Sequence, residues 1–409
     1  MPRDRRPPRL VPLQRTPVKR TAVPTTDSAL VPHHGLTLLR TVATAVLDLD
    51  ALSDLGTFTL PYPPEAQRAL DRTALACLLR GADPPLSVSD LLVWCRQRPV
   101  TEWPLDLPDG LTGPEDRLID EDACVPTDLC YEWAVDRPDS ATEQIDRALI
   151  GLAMDRCRLA NAPTSYVAFR RLLVEHPVLT RDKAGEIALE PAFAPLDGLL
   201  EQIYLPAPIG WARGGRFTSC RRCRTLLAPM RDGGWWCENA RCRHKGDALV
   251  GPAYDEAEGG GVLLLTRPLR LFVTAPGVAE LRLERALSRL DLVPELWPNY
   301  DAYDLRITLP DGRVWAVDVK DWANPALLGR NAVPLPTDPP YDEAFLVIPD
   351  HRTALRHDYV AVVRRFLSTD VRRRTAVLSQ RQFMARARAA LADAQQGPFS
   401  DDRPEDDNA

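Results

Sequence analysis

The run Leu309-Pro310-Asp311-Gly312-Arg313 constrains this chain more than any other. Pro310 and Asp311 suit a type I turn, and Gly312 suits the left-handed residue that closes a three-residue hairpin loop. On either side, Asp304–Leu309 and Arg313–Lys320 alternate as two strands do. A three-residue loop pairs Leu309 with Arg313, and counting back sets Asp304 opposite Asp318. Opposed residues share a sheet face, and Lys320, two positions on, shares it too. A two-residue loop would place the two aspartates on opposite faces.

Two carboxylates side by side repel unless a divalent cation lies between them. Mg²⁺ is usually held by one or two carboxylates plus water and substrate phosphate. Asp304 and Asp318, with the carbonyl of Val319, therefore read as Mg²⁺ ligands for phosphodiester hydrolysis. Lys320 would orient or deprotonate the attacking water, or stabilise developing negative charge. A bare Asp-x-Lys is also a common surface pair. Of 51 basic residues, however, only Lys19, Lys183, Lys245 and Lys320 are lysines. Where plain positive charge suffices this chain uses Arg, so a lysine behind an acid is informative.

The flanking sequence predicts an α/β layer domain over 262–393 with an αβββαβ core. Leu269–Thr274 reads as a strand broken by Pro276-Gly277, followed by a helix with Leu283, Ala286, Leu287 and Leu290 on its apolar stripe. Strands are predicted at Val293–Trp297, Glu343–Ile348 and Thr375–Leu378. A helix carries Leu355, Tyr359, Val362 and Phe366, and a last helix closes the domain.

Cys220-x2-Cys223 and Cys237-x4-Cys242 form the strongest metal signal. A tetrahedral zinc ion takes four soft ligands, and a segment without an apolar core needs such a staple to fold. The four cysteines fill the coordination sphere, which points to a structural ion in a zinc ribbon over 210–250; His244 is the alternative to Cys242. Arg221, Arg222, Arg224, Arg241 and Arg243, beside Trp235 and Trp236, suit phosphate contact and base stacking. A solvated ribbon whose tryptophans form its small core fits the same residues.

The remaining sequence is quieter. Residues 1–33 are Pro-rich and basic and read as a disordered arm, and 394–409 as an acidic tail. Residues 34–209 read as a mainly helical N-terminal domain, with Ile145, Leu149, Leu152 and Cys157 on one stripe. Cys77, Cys95, Cys124, Cys130 and Cys157 lack ligand spacing and read as buried small hydrophobes. Gly259–Gly261 reads as a flexible junction. No membrane span and no secretory leader is evident, which points to the cytoplasm. The formal charge of −6 leaves nucleic-acid binding to local patches. The C-terminal arginines, Arg364 to Arg388, suit either a phosphate-binding extension or solvated helix faces. No phosphate loop of ATP-driven enzymes and no serine-hydrolase elbow is present.

The segment PGVAELRLERALSRLDLVPELWPNYDAYDLRITLPDGRVWAVDVKDW resembles the PD-(D/E)XK, restriction-endonuclease-like superfamily. With the cysteine knuckles and YVAFRRLLVEHPVLT at 166–180, it is similar to the REase-like proteins encoded beside prokaryotic PIWI-RE proteins and a helicase. The resemblance implies a Mg²⁺-dependent DNA endonuclease acting in defence, with the PIWI-RE protein and the helicase as partners. It also implies that a glutamate of the first helix completes the metal shell, and Glu280 matches the spacing better than Glu284. The plainer account of Glu280 is an acid favoured in a helix's first turn. Asp318 stands where the superfamily more often has Glu. Double-strand cleavage needs two active sites, so a homodimer is a further expectation. The competing reading is a non-catalytic, zinc-stapled nucleic-acid or adaptor subunit with a vestigial nuclease fold.

Overall fold

The computed structural model describes residues 34–52, 62–134 and 141–395. The arm expected over 1–33, and all but the start of the expected acidic tail, lie outside the described residues.

A five-stranded mixed sheet forms the C-terminal half. Its order is Thr375–Ser379, Glu343–Ile348, Val314–Val319, Leu305–Thr308, Glu295–Leu296. The first two pairings are parallel and the last two antiparallel. The turn behaves as its chemistry requires: the Leu309 N–H donates to Arg313 O at 2.8 Å, and Gly312 has φ 87°. Thr308 pairs with Val314 and Leu305 with Val317, so the ladder runs straight to Asp304 and Asp318.

Alternation gives this sheet two apolar faces. Trp315, Val317, Val319, Phe345 and Val347 point to one face, against helices Ala275–Ser288 and Gln380–Gln395. Trp315 is fully buried there, 5.0 Å from Phe345 and 5.8 Å from Phe383 between ring centres. Such aromatic contacts add about 0.5–1.5 kcal/mol beyond area burial. The other face packs Leu346 and Ile348 under Tyr359 and Val363. Helix Pro325–Asn331, which alternation did not reveal, also lies there, capped by Asn324 Oδ1 accepting from the Ala326 and Leu327 N–H groups.

Several sequence expectations need correction. Leu269–Thr274 is helical, not a strand: Arg267–Leu269 and Arg270–Thr274 run without a break into Ala275–Ser288. A short apolar run does not distinguish a buried helix from a strand. The wide π turn over Arg270–Thr274 admits Pro276, whose ring would clash in a regular α-helix. The helix expected through Leu355 and Tyr359 is two, Asp350–Leu355 and Tyr359–Phe366, and Leu355 is exposed. Leu152 and Cys124 are exposed as well, and Cys124 has φ 56°. Gly259–Gly261 is a packed turn, not a flexible junction: Gly259 has φ 53°, and a Cβ there would meet Thr180 Cβ at 2.7 Å.

The cores cut across the sequence divisions. Residues of 36–134 build one core, which extends onto Ala326, Leu327 and Val362. Residues of 153–203 belong instead to the core beneath the central sheet. Val262–Leu265 lies between Val178–Thr180 and Tyr204–Pro206 in an antiparallel three-stranded sheet. The chain between Pro206 and Val262 therefore leaves and re-enters at neighbouring strands, and it carries the cysteine module as a lobe.

The first core is latched to the segment after Lys320. Both carboxylate oxygens of buried Glu132 accept backbone N–H groups, one from Ala323 and one from Asn324 at 2.9 Å. Asn324 Nδ2 donates to Leu111 O at 2.7 Å, and Arg352 joins Asp321 at 2.5 Å. No helix among the described residues is long and apolar enough to cross a membrane.

Candidate active site and cysteine module

The hairpin brings its three polar residues to one end of a cleft of about 700 Å³. Asp304 Oδ2 accepts the Val319 N–H at 2.6 Å, and Lys320 Nζ donates to Asp318 Oδ1 at 2.8 Å. Glu280 arrives from helix Ala275–Ser288, and all four line the same cleft. Glu280 Oε2 accepts from Trp297 Nε1 at 2.6 Å.

Sequence reasoning missed the other side of this cluster. Arg170, on helix Pro163–Glu175, places Nη2 3.7 Å from Glu280 Oε2 and 3.7 Å from Asp301 Oδ2. Its guanidinium lies 5.2 Å from the Trp297 ring centre, and Tyr166 donates to Asp301 Oδ2 at 3.0 Å. A signal was available: Tyr166, Phe169, Arg170 and Leu173 fall on one helical stripe, and an arginine amid that apolar face needs a buried partner. Asp301 was harder to foresee. Trp297, Asn299, Tyr300 and Asp301 have φ of 47°, 47°, 58° and 76°, a left-handed turn without glycine. Each such residue costs on the order of 1–2 kcal/mol, so packing must hold the turn in place. Tyr300 donates to Cys157 O at 3.4 Å and Asn299 to Asp338 at 3.0 Å.

The electrostatics are one-sided. Glu280, Asp301, Asp304 and Asp318 stand with Arg170 and Lys320, two positive charges short of neutrality when all are ionised, and elsewhere in the cleft Asp128, Glu132 and Asp321 outnumber Arg352. Burial pushes Glu280 up to about 7, and burial with Glu280 and Asp318 as neighbours holds Asp304 well above the usual carboxylate range. Burial alone would lower Lys320, but Asp318 and Asp304 outweigh it and keep the ammonium charged. A site that takes up protons for want of positive charge suits a divalent cation.

The cysteine module is tighter. The Sγ atoms of Cys220, Cys223, Cys237 and Cys242 lie within 4.8 Å of one another, all four residues are buried, and none is in a disulfide. Cys223 and Cys237 Sγ are 3.5 Å apart, close to the roughly 3.8 Å that 2.3 Å zinc–sulfur bonds impose on a tetrahedron. Among the described residues this is the one set of three or more His, Cys, Asp or Glu ligands so drawn together; the cleft carboxylates are spaced more widely. Arg216–Cys220 pairs with Val250–Asp255, so the fold of the module extends past residue 250.

Three of the five arginines proposed for phosphate contact are tied to backbone carbonyls. Arg222 donates to the carbonyls of Cys242, Gly246 and Asp247, and Arg224 to that of Glu175. Arg243 donates to the carbonyls of Cys237 and Glu238, and its guanidinium lies over Trp236. Arg213 lies over Trp235 in the same way. Arg221 is exposed, and Arg241 is buried between the module and the cleft. Of the C-terminal arginines, Arg364 and Arg372 bind backbone carbonyls and Arg386 pairs with Glu343.

Two family models match the chain. Residues 38–180 match the one described as pPIWI_RE three-gene island domain Y, and residues 277–395 the one described as REase associating with pPIWI_RE. The chain thus resembles the REase-like proteins associated with pPIWI_RE, and the second match spans Glu280, Asp304, Asp318 and Lys320. No curated protein and no solved structure matches it.

Proposed function

We propose that the chain is a Mg²⁺-dependent endodeoxyribonuclease, working beside a PIWI-RE protein and a helicase in prokaryotic defence. The observation that carries the reading is the convergence of Asp304, Asp318, Lys320 and Glu280 in a cleft short of positive charge. In this reading residues 262–393 perform the chemistry, and residues 210–250 are a structural zinc ribbon held by Cys220, Cys223, Cys237 and Cys242.

Asp304, Asp318 and Glu280 are the residues that would hold the magnesium ion. When bound, the ion supplies a low-pKa water and neutralises charge on the scissile phosphate. Each side chain has its own task. The bond from the Val319 N–H fixes Asp304 Oδ2, leaving its second oxygen as ligand. Trp297 fixes Glu280 in the same manner, while Arg170 offsets the negative charge of Glu280 and Asp301. Asp318 and Asp304 hold the Lys320 ammonium in its charged form before a cation binds, which suits it to orient the nucleophile and stabilise charge on the phosphoryl oxygens.

The test is cleavage of supercoiled plasmid and single-stranded DNA with and without Mg²⁺, by the chain alone and with partner proteins from the same gene island. Asp318→Ala and Lys320→Ala are each expected to lose at least about 100-fold in rate. Mg²⁺-dependent nicking that survives both substitutions would place the activity elsewhere.

A further inference from the structure

The walls of the catalytic cleft are built by both halves of the chain, and they are apolar where its carboxylate end is acidic. Tyr131 enters from helix Asp128–Ala134 of the N-terminal core, Ile150 and Met154 from helix Ala141–Leu159, and Leu271 and Phe272 from the π turn. Residues 333–336 add a further wall.

Phe272 is the unusual member of this set. It is 39% exposed, although a large apolar side chain is more often buried. Its ring meets Tyr131 edge to face, with 5.9 Å between centres and 76° between planes, and Arg267 lies 5.4 Å from the Tyr131 ring centre. The pair is held in place and still offers ring surface to the cleft.

The same cleft is poor in groups that hold a nucleic-acid backbone. Among the described residues that line it, seven side chains are acidic and three are basic. All three basic ones have acidic partners: Arg170 has Glu280 and Asp301, Lys320 has Asp318, and Arg352 has Asp321. One Mg²⁺ would still leave the acids in excess. A duplex is bound largely by neutralising phosphates along its length, and these cations are already committed.

Size and depth agree with charge. A volume of about 700 Å³ lies in the range of pockets that enclose one small ligand. The major groove of B-form DNA is by itself about 12 Å wide, and a cube of that edge has more than twice the volume of the cleft. Glu280 and Asp304 are 3% and 7% exposed, so a phosphate must enter the cleft to reach them. A single strand can enter with its bases turned onto the apolar wall. In a duplex those bases are paired and stacked within the helix.

We propose that the cleft takes unpaired nucleotides of a DNA single strand, with a base stacked on the Phe272 ring beside Tyr131 and the backbone lying toward Asp304 and Asp318. This rests on the nuclease reading above and narrows its substrate. Every base has a π-face, so the strand is selected by its lack of pairing and not by its sequence.

The experiment uses the full chain, a fluorescein-labelled single strand of about 20 nucleotides and the duplex of the same sequence. Anisotropy is read in Ca²⁺, a hard cation that takes oxygen ligands as Mg²⁺ does. Phe272→Ala and Phe272→Leu change an exposed side chain, and the leucine keeps apolar bulk while removing the π-face. Both should weaken binding of the strand, the alanine by roughly 5- to 150-fold, the span that loss of one stacked base produces. In the wild type the duplex should bind more weakly than the strand, and the two variants should leave duplex binding as it is. Leu189→Ala, at an exposed position that does not line the cleft, should change neither. A 2-aminopurine in the strand should lose fluorescence on binding the wild type and keep more of it with Phe272→Leu. In Mg²⁺ the wild type should cleave the strand with a higher kcat/KM than the duplex. A duplex bound and cut as well as the strand, or equal strand binding by Phe272→Ala and wild type, would overturn the single-strand substrate and leave the nuclease standing. A loss confined to the duplex would do the same, since it marks a base extruded from a helix. A wild type that neither binds nor cuts either DNA would overturn both.

Discussion

Replacing Glu132 by Ala tests whether the N-terminal core is fastened to the segment that follows Lys320. Glu132 accepts two backbone N–H groups, from Ala323 and Asn324, across nearly two hundred positions of sequence. Asn324 is buried, so its orphaned N–H costs about 1–3 kcal/mol. Ala323 is half-buried and water can reach it, which limits that loss to about 1 kcal/mol. Asn324 also caps the next helix, so its displacement puts about 1 kcal/mol of capping at risk. Against this, burial pushes Glu132 up to about 8, and removing the carboxyl relieves that desolvation. The balance is a loss of about 2 kcal/mol, or roughly 8–16 °C in the melting transition of a unit the size of residues 36–134. Glu132→Gln keeps one acceptor and should lose about half as much. Trp94, Trp103 and Trp133 lie in this core, so intrinsic fluorescence reports its unfolding. A shift below about 1 °C for the Ala variant, or a Gln variant less stable than Ala, would refute the reasoning.

Two further outcomes are expected. The purified chain should carry about one zinc per molecule, released when the thiols are titrated with an organomercurial; Cys223→Ser should lose the ion and unfold the module, and full thiol reactivity with no metal released would exclude the site. Glu280 keeps its proton in the native state up to about 7, against 4.5 when unfolded. The native protein therefore holds more protons between those values, and stability should fall by about 3 kcal/mol as pH rises from 4.5 to 7, then level off. Urea midpoints in metal-free buffer should show that slope in the wild type and a shallower one in Glu280→Gln; equal slopes would remove Glu280 as the cause.

How much of this was legible in the sequence depended on how local the determinants were. The Pro-Asp-Gly turn specifies a register within a few residues, so the opposition of Asp304 and Asp318 followed from turn chemistry alone. The cysteine spacing was equally local. The Leu269–Thr274 segment was not, because its Val and Thr content favours a strand while its packing on helix Pro163–Glu175, where Thr274 Oγ1 donates to Leu173 O, decides for a helix. Arg170 and Asp301 are remote from each other in sequence, and a left-handed turn without glycine has no local signature. The arginines show the opposite failure: composition suited five of them to phosphate contact, but Arg222, Arg224 and Arg243 are tied to backbone carbonyls.

The shared core beneath the sheet also bears on how such a chain is made. Tyr166 and Asp301 lie 135 positions apart, and Phe383, Ala387 and Ala390 of the last helix complete the core that holds both. At about 5–20 residues per second, a ribosome needs roughly 7–27 s to pass from one to the other. During that interval the Pro163–Glu175 helix waits without most of its packing partners, and the cleft does not exist. Whatever chemistry the cleft performs is therefore withheld from the nascent chain and begins only once the closing helix has left the exit tunnel.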